Sequence, residues 1–237
     1  MQAIKDFLKK TGGQYKICFS SKRYIFSFVL GIVLLAASLI INVYAVRYAT
    51  ASVSNPVTDI VLSNIGPYDV DGLFVNGAAG MVLFIIVIGL LWPSRLPFML
   101  KTIAIFVMTR SVFISLTHIG AFPTHSTINP YTQNLLEDII GTKLYSSFFL
   151  GDDSFFSGHT GLPFLMAFLY WDRRWIRDFF IVLSVVLGIV VLLGHLHYSI
   201  DVLSAFFISY GVYRMARHLF ATDVPESLKT DSTHARM

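Results

Sequence analysis

Two short polar blocks hold the residues best suited to chemistry: Ser157-Gly158-His159-Thr160 and His197-Tyr198-Ser199-Ile200-Asp201. Imidazole changes its proton near neutral pH and serves as both acid–base catalyst and nucleophile. His197 and Asp201 are spaced i, i+4, which on a helix places them on one face a turn apart. The carboxylate can then accept from one imidazole nitrogen, fix the tautomer and leave the other nitrogen as nucleophile. It would also stabilise the charge that develops as His197 attacks phosphorus. His159, at a neighbouring helix head, can protonate a departing alkoxide and later deprotonate an incoming acceptor. Two imidazoles flanking one phosphorus suit a two-step substitution through a phosphohistidine.

The same blocks offer an anion seat. Ser157 is a fitting N-cap, which frees the next backbone N–H groups to point outward. Two helix starts side by side present amide donors and positive dipole ends, for which phosphate is a natural guest. A histidine at a helix start is more often an interfacial residue than a catalyst, so neither imidazole decides the matter alone. Asp201 weighs more, because a carboxylate inside a membrane span costs ~2.5–3.5 kcal/mol on insertion scales and defaults to function. Arg110, between Thr109 and Ser111, is costlier still. It either pairs structurally with Asp201 or holds the phosphate or a nearby carboxylate, and the second reading is favoured. His159, His195, His197 and Asp201 also form a weak metal-type pattern. The spacing alone does not rule out a divalent metal there, and no other cofactor is expected.

The elements that must position these groups are apolar helices. Apolar residues make up 55% of the 237 and charged residues 14%, more hydrophobic surface than a soluble fold of this length can cover. Tyr24 to Val46 carries no charge and, at ~1.5 Å per residue, is long enough to cross a hydrocarbon core of ~30 Å. It reads as a retained first span rather than a cleaved signal. Spans are expected at about 24–46, 73–92, 101–120, 157–171, 178–196 and 198–218, an all-α six-transmembrane-helix bundle. A basic lead (1–23), a membrane domain (24–218) and a flexible tail (219–237) complete the chain. Fifteen of the 18 Lys and Arg residues fall in the lead, the tail and the even-numbered loops. The positive-inside rule then makes both termini cytoplasmic and puts the polar blocks on the non-cytoplasmic face. The net charge of +4 thus reports topology, and a nucleic-acid partner drops out. Cys18 is alone, so no intrachain disulfide can form. The outer loops 47–72 and 121–156 are long enough to bind or cover something. Within the second, Tyr131 to Phe149 has helical apolar spacing suited to the interface.

At the two blocks the chain resembles the sphingomyelin synthase family, a branch of the type-2 phosphatidate phosphatase superfamily. The family's Cys-Gly-Asp, three residues, Ser-Gly-His-Thr is similar to Gly151-Asp152-Asp153, three residues, Ser157-Gly158-His159-Thr160. Its His-Tyr-Thr-x-Asp-Val-x-x-Ala-Tyr looks like His197 to Phe206, with His195 where the family often has another histidine. Arg110 is similar to the arginine of the family's third span. The likeness covers roughly residues 55–215. It implies a metal-free transferase that moves a phospho-head group from a glycerophospholipid to a ceramide-like alcohol and releases diacylglycerol. His159, His197 and Asp201 would be its triad. Arg110, Asp153, Ser157, Gly158, His195 and Tyr198 would line the phosphate and substrate site. The departures are the missing cysteine, Asp152 for glycine, Ser199 and Phe206. The family's Pro-Leu-Pro-Asp segment is faintly echoed by Asn55-Pro56-Val57-Thr58-Asp59. The Ser-Arg pair that the broader phosphatases carry before the second histidine is here Val191 and Leu192.

The expected partners are therefore a phospholipid donor, a lipid alcohol acceptor and the bilayer, and assembly into a homo-oligomer is left open. The alternative is a lipid phosphate phosphatase or phospholipase C-like hydrolase, with water as acceptor for the same histidine pair. A non-catalytic lipid-binding relative ranks last, because all three triad members are present.

Overall fold

The computed structural model describes residues 2–124 and 156–229, and among these all regular structure is helical. The helices are α1 (Gln2–Ser20), α2 (Lys22–Ala51), α3 (Asp71–Leu91), α4 (Leu96–Thr117), α5 (Gly158–Leu169), α6 (Arg174–Leu193), α7 (Ser199–Leu219) and the short α8 (Glu226–Lys229). Short 3₁₀ turns at Leu62–Asn64 and Pro93–Arg95 complete the regular structure. Each of the six expected stretches overlaps one helix, α2 to α7. Four of the six, namely α2, α3, α4 with the turn before it, and α6, are long and apolar enough to cross a membrane, as in an integral membrane protein. α5 has only 12 residues, about 18 Å at the helical rise, which is short of a full crossing. α7 has the length but carries Asp201, Arg214 and Arg217. The stretch Tyr131 to Phe149 lies outside the described residues.

α2 and α4 pack along one another because small residues line the buried face of α2. Ser27, Gly31, Ser38, Asn42, Ala45 and Ala49 recur at helical spacing there. A Cβ at Gly31 would stand 3.0 Å from Leu100 Cβ, so glycine eases this close approach. Asn42, which would be costly against lipid, accepts from the Ser111 hydroxyl at 3.3 Å.

The short helix α5 is the one most deeply enclosed. Leu165, Met166 and Ala167 are fully buried among apolar side chains of α3, α4, α6 and α7. Its first turn is tied to both neighbours: Ser184 of α6 donates to Thr160 O (2.6 Å) and Ser209 of α7 to Gly161 O (2.9 Å). Shortness and enclosure together set the head of α5 inside the bundle, beside the head of α7 and the last turns of α4.

The opposite end is closed by buried ion pairs. Arg95 donates to Asp172 (2.6 Å), Leu169 O (2.7 Å) and Ser227 (3.0 Å), and Lys101 to Asp223 (2.6 Å) and Ser27 (2.8 Å). The segment following α7 was expected to be a free tail. Its first part instead folds back under the bundle, with Val224 and Leu228 buried. The reason is Lys101, a cation with no carboxylate on its own helix, which Asp223 of that segment supplies.

Candidate active site

Ser157 starts α5. Its hydroxyl accepts from the Thr160 N–H at 3.4 Å, with Ser157 itself wholly buried. Its own N–H donates to Asp201 O at 3.2 Å, which places the heads of α5 and α7 side by side. Gly161 N–H returns to Ser157 O at 2.9 Å. The N–H groups of Gly158 and His159 are the two that the helix leaves unbonded at this end.

The head of α7 is built differently from the sequence expectation. Tyr198 is the N-cap, with extended backbone, so His197 precedes the helix rather than lying on it. Asp201, fully buried at the third helical position, turns its Oδ2 back to accept from Tyr198 N–H at 2.9 Å. His197 Nδ1 stands 3.7 Å from that same Oδ2. This is ion-pair range but too long for the hydrogen bond expected from the i, i+4 spacing, because the oxygen is already committed to the cap. The other oxygen, Asp201 Oδ1, is buried with no hydrogen-bond partner among the described residues. The pair thus meets as expected, through a cap and not across a helical turn.

His159 sits in the first turn of α5. Its ring packs on Phe74 of α3 with centroids 4.0 Å apart, and its Nε2 is buried with no hydrogen-bond partner among the described residues. It lies within electrostatic reach of His197 and Arg110. Arg110, two thirds of the way along α4, donates from Nε to Phe156 O at 3.3 Å. The same nitrogen stands 3.6 Å from where a Cβ at Gly158 would be. The Arg110 side chain therefore lies beside the start of α5.

The remaining expected residues separate. His195 is buried in the left-handed region (φ 54°), its Nδ1 2.6 Å from the Thr124 hydroxyl and its ring edge-on to Phe122. Tyr198 donates to Gly120 O (2.7 Å) and accepts from Val57 N–H (3.2 Å), so its phenol ties the loop after α2 to the segment after α4. Asp153 lies outside the described residues. Among the described residues, no group of three or more His, Cys, Asp or Glu side chains gathers closely enough to hold a metal ion.

Asp59 entered the sequence reading only as the end of the Asn55–Asp59 segment, with no role of its own. It is 7% exposed, in the loop between α2 and α3. Its Oδ1 accepts from Val61 N–H (2.8 Å) and Leu62 N–H (3.1 Å), and its Oδ2 from Ser199 N–H (2.7 Å) and the Ser199 hydroxyl (2.8 Å). Burial pushes its pKa upward, but the bonds from Ser199, Leu62 and Val61 outweigh that and hold it below the ordinary 3.8. The available signals were its place in a loop too long to be a simple connector and the faint likeness of Asn55 to Asp59 to a Pro-Leu-Pro-Asp segment.

Residues 152–219 match the family model described as PAP2 superfamily C-terminal. The matched stretch contains both polar blocks and ends with α7, leaving Asp59 and Arg110 outside it. The match supports kinship with the type-2 phosphatidate phosphatase superfamily, and with it phosphoryl-transfer or hydrolase chemistry on lipids. It names that superfamily and not the sphingomyelin synthase branch. No curated protein sequence and no solved structure matches the chain significantly.

Proposed function

We propose that this chain is a lipid head-group phosphotransferase of sphingomyelin synthase type. It would move phosphocholine or phosphoethanolamine from a glycerophospholipid to a ceramide-like alcohol and release diacylglycerol. One observation carries the reading: the buried Nε2 of His159, without a hydrogen-bond partner among the described residues, lies near His197 and Arg110, where the head of α5 offers two N–H groups. Buried polar atoms are normally satisfied, and an orphan at such a place is best explained by a ligand that supplies the missing bond. Phosphate oxygens would take the Gly158 and His159 N–H groups and the Arg110 guanidinium.

In the first step the Nε2 of His197 attacks phosphorus, and the P–O bond to diacylglycerol breaks. His159 gives its proton to the departing alkoxide, and Asp201 offsets the charge on the His197 ring. In the second step His159 takes the proton of the acceptor hydroxyl, whose oxygen attacks the phosphohistidine and frees His197. The site would lie on the non-cytoplasmic face at head-group depth. Exclusion of water there strengthens the Arg110 and helix-dipole terms and favours a lipid alcohol as acceptor.

The test is product analysis by mass spectrometry of purified protein given phosphatidylcholine or phosphatidylethanolamine, with and without ceramide. A phosphosphingolipid plus diacylglycerol, absent in His197→Ala and unaffected by EDTA, is the expected result. Free phospho-head group with no acceptor product would replace transfer by hydrolysis. Loss of activity in EDTA would overturn the metal-free phosphohistidine route.

A further inference from the structure

Two helix heads lie side by side, yet among the described residues only one of them is open to an anion. At α7 the Tyr198 N–H ends on Asp201, and the Ser199 N–H and hydroxyl end on Asp59. Two carboxylates thus occupy the positive end of that helix. At α5 no carboxylate of the described residues bonds the outward N–H groups, and the Arg110 side chain lies beside Gly158 with its Nε on Phe156 O.

We propose that Asp59 is a positioning residue for the reaction proposed above, on which this inference rests. It plugs the anion seat at the head of α7, so that the phosphate goes to the head of α5 and His197 is held between the two. Asp59 is fitted for this because each oxygen serves a different element. Oδ1 is locked into its own loop by Val61 and Leu62, and Oδ2 is locked onto α7 by Ser199. The loop itself is fastened along the same end of the bundle. Ser54 bonds His118 O through both its N–H (2.8 Å) and hydroxyl (2.7 Å), and Tyr68 N–H bonds Leu193 O (2.8 Å). His197 is two residues from Ser199, ahead of the helix, so the backbone that carries it follows whatever pins Ser199. On its other side the chain is held by Leu196 N–H bonding Val191 O at 2.9 Å.

The decisive pair of variants is Asp59→Asn and Ser199→Pro. The first puts an amide nitrogen in place of one carboxylate oxygen. Either Ser199 or the Val61 and Leu62 N–H groups then lose their acceptor, and the loop is no longer tied to α7. Proline at the first helical position removes the donor but keeps the helix start, and the extended Tyr198 before it (φ −69°, ψ 156°) tolerates it. Each variant is expected to lower kcat by roughly 10- to 100-fold with little change in KM, the penalty of a displaced reacting group. The double variant should be no slower than the slower single, since both break one link. Ser199→Ala, which removes only the hydroxyl bond, should cost less than about threefold. Multiplying effects in the double variant, or wild-type kcat in Asp59→Asn, would overturn the assignment. Should wild type turn over no lipid phosphoester, the proposed function falls by itself. Hydrogen exchange then judges Asp59 separately: Asp59→Asn must loosen residues 195–202 while α5 keeps its protection, and unchanged exchange there sinks the idea.

Discussion

The two ends of this bundle both bury charge, but they do so to opposite purposes. At the far end Arg95 and Lys101 are 6% and 4% exposed, and each reaches a carboxylate at 2.6 Å. Neighbouring rings add to the compensation, with Arg95 over Tyr170 and Lys101 over Phe220, both at 5.0 Å. At the near end Asp201 and His197 stand 3.7 Å apart, and Asp201 Oδ1 and His159 Nε2 have no bonds among the described residues. Even the unbonded oxygen at the far end, Asp172 Oδ1, belongs to a carboxylate already neutralised by Arg95 and flanked by Arg173. Among the described residues the far end is finished without a ligand, and the near end is not. Buried charge by itself therefore says little about function. What separates a strut from a site is whether the charges satisfy one another.

The largest effect expected from breaking this contrast is at the near end. His197→Ala should lower phosphotransfer by about 10³-fold or more, and His159→Ala by roughly 10²- to 10⁴-fold, with thermal stability near wild type. Turnover assays paired with melting curves in the same detergent check both. If either variant melts well below wild type, the near end is also a strut and the contrast fails. The mirror experiment is Arg95→Met. Removing one partner of a buried pair strands Asp172 and should cost about 3–5 kcal/mol of stability. The fraction that stays folded should keep its kcat. A large kcat loss at unchanged stability would mean that the two ends are coupled.

A smaller effect tests how α5 carries His159. A Cβ at Gly161 would lie 2.9 Å from Ser209 Oγ and 3.0 Å from the Phe106 ring. Gly161→Ala should thus push α5 away from α4 and α7 and cost about 1–3 kcal/mol by overpacking. Because Ser209 also bonds Gly161 O, the shift should reach the α5 head and lower kcat more than it raises KM. Equal changes in kcat for Gly161→Ala and for a lipid-facing substitution such as Leu203→Ala would remove that link.

Much of this was legible from the chain alone. The apolar runs gave the places of α2 to α7, because backbone bonding in a bilayer leaves a long helix as the natural state of such a segment. The pairing of His197 with Asp201 and the capping by Ser157 were also readable, since both depend on near neighbours. The form of the His197–Asp201 contact was not. An i, i+4 count assumes a helix through both residues, whereas Tyr198 ends the extended segment and Asp201 spends an oxygen on the cap. The role of Asp59 was hidden for a different reason. Its partner Ser199 is 140 residues away, and no periodicity in the sequence links a loop carboxylate to a distant helix head. The docking of Asp223 and Ser227 under the bundle is of the same kind. Their polar surroundings read as a tail until Lys101 and Arg95 are seen buried above them.

The mildest perturbation, acid, addresses both ends at once. Burial raises the Asp172 pKa, but the Arg95 hydrogen bond and charge, with Ser227, bring it below the ordinary 3.8. Asp59 is held below the same value at the near end. A carboxylate whose folded pKa is depressed adds stability that is fully present above its unfolded pKa and fades as pH falls through the folded one. Melting temperature should therefore be level from pH 7 down to about 4.5 as far as these two groups are concerned, then decline below about 4. Asp172→Asn and Asp59→Asn should each start from a lower plateau and fall less steeply. Because the far-end carboxylate holds a strut and the near-end one holds a loop, hydrogen exchange at low pH should resolve them. Residues 52–70 and 195–202 should open in wild type and in Asp172→Asn alike, while residues 220–229 should open with acid in wild type and already at neutral pH in Asp172→Asn. Simultaneous opening of both regions in every protein would mean that the bundle has a single acid-labile unit and that its ends are not energetically distinct.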